Sequence, residues 1–121
     1  MEKEIHRLLC MGGVTPRYRY YHYFKKCVLQ AVENPLRLQN ICREVYLPVA
    51  QEFDKDIRAI EQGVRYARNL FIENGGSQIL ARMNGGSFWQ NQFPYPSDMI
   101  EIFVFYLLDW EENKKKTEEI G

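Results

Sequence analysis

The sequence is short of the residues from which most enzyme and metal sites are assembled. Its 121 residues hold two histidines and three cysteines, and Cys10, Cys27 and Cys42 form no CxxC pair. An odd, scattered set of thiols argues against a disulfide framework and for a reducing, cytoplasmic location. His6 and Cys10 lie four apart on an expected helix and can supply two metal ligands, but a structural zinc site needs a full tetrahedral set, so packing is the expected role and no metal or cofactor is foreseen. The same scarcity leaves a Cys-His nucleophile without an orienting third group. Gly-Gly-Ser occurs at 75–77 and 85–87 without the strand and lysine of a phosphate loop. With no acid-base constellation to build, enzymatic activity is not expected.

Long apolar runs are missing too. IEIFVFYLL falls short of the roughly 18 to 20 residues that span a bilayer. The start, MEKEIHRLLCMGG, is too charged and its apolar stretch too brief for a secretory leader, so neither a membrane span nor export is expected. Net charge is absent as well: 16 basic residues balance 16 acidic ones. That excludes a uniformly basic surface, but the charge is polarised along the chain. Residues 1–30 carry six Lys/Arg against two Asp/Glu (+4), residues 31–73 six against seven (−1), and residues 74–121 four against seven (−3).

What is present is enough for one folded unit. A hydrophobic fraction of 45% is that of a globular chain, and the length fits a single core. No internal repeat and no sustained period-two alternation occurs, so the expected class is all-α. Residues 2–10 read as a short amphipathic helix stopped by Gly12 and Gly13. Thr15 and Pro16 read as an N-cap and first-turn pair opening a long helix to about Val32. Tyr20, Phe24, Cys27, Val28 and Ala31 form its apolar side, and Arg19, His22, Lys25 and Lys26 a basic stripe, for which a solvated face is the expected role ahead of direct phosphate contact.

Residues 36–45 suit another short helix, and Pro48 fits the first turn of the next, which ends near Phe53. Asp54 to Asp56 form a turn in which Asp54 or Asp56 caps the following helix. After Asn74 to Gly76, Ser77 is expected to cap a short helix, SQILARM. Residues 84–95 read as a Gly- and Pro-punctuated loop, and Pro96 to Asp98 restart a last, very apolar helix to about Trp110. The domain is expected to cover residues 1–112, with 113–121 a charged, frayed tail.

The segment from Tyr46 to Ile72 reads as a helix-turn-helix. In its second helix Ile57, Ile60, Val64, Ala67 and Phe71 share one arc, and Lys55, Arg58, Ala59, Gln62, Arg65, Tyr66 and Asn69 the other. The outer set is long, hydrogen-bonding or small, as a helix entering a DNA major groove requires. Gln62 is central and can pair bidentately with adenine; Arg58 can reach guanine or phosphate. Glu61, nearer the flank, can accept from cytosine or merely offset Arg58 and Arg65. Any surface helix has a polar outer arc, so the pattern alone leaves both interpretations open.

Several anchors then fall in register. They are IHRLL followed by Gly13 and Val14, the pair Tyr21 and Tyr23, Ile41 followed by Tyr46 to Phe53, and the octet Ile60 to Ala67. Their spacing from about Ile5 to Ile72, and more loosely to Trp110, resembles the C-terminal DNA-binding effector domain of the sporulation response regulators, the stage zero sporulation protein A family. That resemblance implies about six helices in a winged-helix-like effector domain that binds double-stranded promoter DNA, often as tandem copies or a homodimer, and regulates transcription. It implies base reading at Glu61 and Gln62, an Arg65 on the same face, and contact with RNA polymerase through Glu73 to Met83.

The octet departs from the family's Val-Glu-Arg-Ala-Ile-Arg-His-Ala at telling places. The base-reading arginine is Gln62, a Ser-Arg pair is Arg58-Ala59, and a histidine is Tyr66. The family's preferred DNA sequence therefore does not transfer. The 121 residues leave no room for a receiver domain, so either the protein acts without phosphorylation or the sequence is a fragment of a longer one. The neutral charge, the altered reading positions and the aromatic Met99 to Trp110 helix keep an alternative open: a receiver-less relative that has lost DNA readout and serves as a protein-interaction or dimerisation module.

Overall fold

A computed structural model describes residues 1–84 and 95–120, with side chains to residue 117. The first helix, α1 (Glu2–Met11), buries Ile5, Leu8 and Leu9 at helical spacing. It stops at Gly12, and the chain turns through Gly13 at φ +77 to drop Val14 into the core. The next helix, α2 (Arg19–Glu33), begins three residues after the expected Pro16. The reason is local competition: the Thr15 carbonyl accepts from the Tyr18 N–H (3.1 Å) in a separate turn, and the His22 ring nitrogen donates to the Pro16 carbonyl (2.9 Å). Thr15 Oγ1 caps nothing and is buried without a partner among the described residues.

The span expected as one helix from 36 to 45 divides into a 3-10 turn, Pro35–Asn40, and a π-helical turn, Cys42–Tyr46. These lead into α3 (Leu47–Glu52), with Pro48 in its first turn as expected. Then come α4 (Ile57–Glu73), α5 (Gly76–Met83) and α6 (Pro96–Ile120). No strand occurs among the described residues, so the chain is all-α. The loop assigned to residues 84–95 lies almost wholly outside the described residues.

Two of the later boundaries also differ from expectation. Gly75, left-handed at φ +81, both ends α4 and caps α5, so Ser77 falls inside the helix rather than before it. The last helix, expected to end near Trp110 with a frayed tail over 113–121, continues as α6 to Ile120. Its alternating charges are helix formers placed at pairing distance: Lys116 meets Glu112 at 3.8 Å, and Lys114 sits over the Trp110 ring at 5.3 Å.

The core gathers around α2, against which α4 and α6 both pack. Phe103 of α6 meets Phe24 of α2 edge-on at 5.1 Å and Phe71 of α4 at 5.9 Å, tying the three helices at one point. Each ring is fully buried, a contribution of up to about 3 kcal/mol per side chain before entropy is counted. Close approach of α2 and α4 requires Gly63, because a Cβ there would stand 2.7 Å from Tyr23 Cδ2. That contact fixes where the outer face of α4 points.

Candidate functional site

The turn between α3 and α4 is held at every residue. Phe53 packs edge-on against Tyr23 (5.0 Å), Asp54 takes the left-handed conformation (φ 54), and the Lys55 N–H donates to the Ala50 carbonyl (2.8 Å). Of the two candidate caps Asp56 serves: its Oδ1 accepts from the Arg58 N–H at 3.0 Å. A carboxylate there satisfies an orphan donor and suits the positive helix end. The entry angle of α4 is thereby set by backbone bonds.

Along α4 the buried residues are Ile60, Gly63, Val64, Ala67 and Phe71, with Ile57 half-buried, close to the expected arc. Lys55, Arg58, Gln62, Arg65, Tyr66 and Asn69 are exposed and Ala59 is half-buried. The structure brings the expected outer set together on one face, but divides it into two flanks. Lys55, Ala59, Gln62 and Tyr66 border a groove of about 440 Å³ against the start of α2. Arg58, Glu61, Arg65 and Asn69 lie outside its lining.

Polar side chains on this face constrain one another. Gln62 Nε2 donates to the Tyr66 hydroxyl at 2.9 Å, which leaves the amide oxygen and a second amide hydrogen for another partner. Asn69 Oδ1 accepts from Arg68 Nε at 2.7 Å. Glu61 is drawn to the flank, where its carboxylate accepts the Cys42 thiol at 3.7 Å. Burial and this neighbouring carboxylate push the Cys42 thiol up from its ordinary value, so it stays a donor. Arg58, Arg65 and Lys55 have no carboxylate within ion-pair distance among the described residues.

Of the groove's far wall, Arg17, Tyr18, Arg19, Tyr20 and Tyr23, sequence reasoning weighs only Arg19 for phosphate contact, as part of the basic stripe, and assigns the others to no site. The available signal is the alternation Arg-Tyr-Arg-Tyr-Tyr from Arg17, which runs across the start of α2. The basic stripe expected on α2 is dispersed: Lys25 pairs with Glu2 (3.3 Å), Lys26 with Glu52 (3.1 Å), and His22 with Pro16. At the other end of the molecule His6 Nδ1 lies 2.7 Å from the Tyr21 hydroxyl and His6 Nε2 lies 3.6 Å from Cys10 Sγ. No cluster of three or more potential metal ligands occurs among the described residues. No helix there is long and apolar enough to cross a membrane.

The chain matches the family described as Sporulation initiation factor Spo0A C terminal over residues 5–107, most of its length, and belongs to that family. It is therefore a DNA-binding effector domain of a transcription-regulator family associated with sporulation, which is not an enzyme class. No curated protein and no solved structure matches it significantly.

Proposed function

From that membership we propose that the protein binds double-stranded DNA sequence-specifically, laying α4 in the major groove to regulate transcription. Gln62, Arg58 and Arg65 contact base edges, Glu61 assists from the flank, and Lys55, Ala59, Tyr66 and Asn69 fit against the backbone and groove walls. The observation that carries this reading is the outer face of α4 itself. It projects from a capped turn, with Arg58 and Arg65 lacking acidic partners among the described residues and Gln62 oriented by Tyr66. An amide fixed in this way offers adenine one donor and one acceptor together.

Selection of bound sequences from a random duplex pool tests the proposal. Adenine is expected at the base pair facing Gln62, and guanine in the motif recovered by Gln62→Arg. Absence of any preferred sequence, or an unchanged motif in the variant, would refute it.

Contacts with RNA polymerase through α5 and with a second copy on tandem sites extend the same reading. The second of these is favoured by one observation: Leu36 and Phe105, 66% and 52% exposed, border a shared groove of about 390 Å³. Contiguous exposed apolar side chains of this kind mark contact surfaces. Sedimentation with and without a two-site duplex separates DNA-templated pairing from a stable dimer, the form expected of a pure interaction module.

A further inference from the structure

We propose that the groove between the lead-in to α2 and α4 is a second DNA contact, a seat for the phosphodiester backbone flanking the major groove, with Arg17 and Arg19 as its clamp. The proposal rests on the DNA-binding reading above but uses residues outside the helix-turn-helix. Three cations, Arg17, Arg19 and Lys55, line one cleft of about 440 Å³, and none has a carboxylate within ion-pair distance among the described residues. Elsewhere on the same helix and its neighbours, Lys25, Lys26 and Arg37 are each neutralised by a glutamate. A polyanion approaching α4 therefore finds unneutralised positive charge on both sides of Gln62.

The aromatic residues make this charge usable. Tyr18 and Tyr20 stack at 4.9 Å with an interplanar angle of 10°, and the Arg17 guanidinium lies 5.3 Å from the Tyr18 ring. A guanidinium resting on a fixed ring loses less freedom on binding than one in solvent. Tyr20 in turn meets Tyr66 edge-on at 6.1 Å, which couples this wall to the residue that orients Gln62. Partial burial pushes the Tyr20 phenol above its ordinary value, so it remains a hydroxyl donor toward phosphate oxygen. Gly63 also lines the groove, and its missing side chain lets the Tyr23 ring lie against α4 there. Such contacts carry no sequence information; they fix the register of the protein on the duplex and supply salt-dependent affinity. They also answer how a chain of zero net charge holds a polyanion.

The test is a titration of the full 121-residue chain with a selected duplex and a scrambled duplex, between 50 and 200 mM salt. Arg17→Ala/Arg19→Ala should weaken binding to both duplexes by a similar factor and reduce the slope of log affinity against log salt by about 2, since each lost phosphate contact removes about 0.9. Arg17→Lys/Arg19→Lys should keep most of that slope, and Lys25→Ala/Lys26→Ala all of it. Circular dichroism confirms that the exposed replacements leave the helices in place. An unchanged slope and affinity in the Arg-to-Ala pair, with sequence preference intact, overturns the clamp and leaves the role of α4 standing. A wild-type protein without sequence preference whose slope still depends on Arg17 and Arg19 supports the clamp and overturns the major-groove reading.

Discussion

Basic side chains around α2 sit in two environments. At its start, Arg17 and Arg19 line a groove with Tyr18, Tyr20 and Tyr23 and have no carboxylate within ion-pair distance among the described residues. A turn or two later, Lys25 and Lys26 are tied to Glu2 of α1 and Glu52 of α3. Both pairs are cations of one stretch of chain, yet Arg17 and Arg19 are exposed and available to a polyanion, whereas Lys25 and Lys26 are half-buried and spent on bridging neighbouring helices. Surface ion pairs of the second kind add little stability, about 0 to 1 kcal/mol, so their effect is chiefly to neutralise one side of the protein. Which cations stay unneutralised in a chain of zero net charge is thus decided by where the carboxylates fall.

The strongest way to break this contrast is alkali, which acts on the neutralised end. Cys27 on α2 is fully buried, and Tyr46 beside it is nearly so; desolvation pushes both groups well above their ordinary values of 9.0 and 10.0. For acids raised in the folded state, stability is fully present below the unfolded values and is lost as pH rises past them. Helix content followed by circular dichroism should therefore collapse cooperatively at alkaline pH, and Cys27→Ala should shift the onset upward. A thiol that titrates without loss of helix would contradict the burial.

Next comes Phe71→Ala, expected to cost about 3 to 5 kcal/mol in denaturant unfolding, because the ring contacts Phe103 and fills the space between Gly12 and Gly76. It undermines both ends alike. Gly63→Val is more selective: its Cβ would strike Tyr23 and wedge α4 from α2, a loss of about 1 to 3 kcal/mol together with weaker DNA binding as the groove walls part. Tyr66→Phe should leave stability within about 0.5 kcal/mol while reducing discrimination at the base pair facing Gln62, since the ring contact with Tyr20 survives but the hydroxyl that holds the amide is gone. An unchanged motif and unchanged mismatch penalty would show that Gln62 needs no such support. Smallest of all, Lys25→Ala should change both stability and DNA affinity by no more than about 0.5 kcal/mol.

Much of α4 was legible in advance because everything that specifies it is local. The spacing of Ile60, Val64, Ala67 and Phe71 selects the buried side, and Asp56 is a cap two residues from the N–H it satisfies. The start of α2 was misplaced for the complementary reason. Thr15-Pro16 is a good local start signal, but His22 claims the Pro16 carbonyl and the helix begins only after Tyr18. The length of α6 is hidden in the sequence because its last residues are a run of charges without an apolar face, although Glu112, Lys116 and the Trp110–Lys114 pair are spaced to support one another within a helix.

The sequence by itself determined an all-α chain, the capped turn into α4, the side chains on the outer arc of that helix and, through collinear anchors, the family to which it belongs. Only the tertiary structure decided which of those side chains are free. Glu61 is turned aside by Cys42, 19 residues away in the chain. Lys25 and Lys26 are neutralised by glutamates on other helices. Arg17 and Arg19 become one wall of a groove whose other wall is α4. Helical periodicity records what lies along one rod, whereas the pairing of charges depends on which rods the core sets side by side.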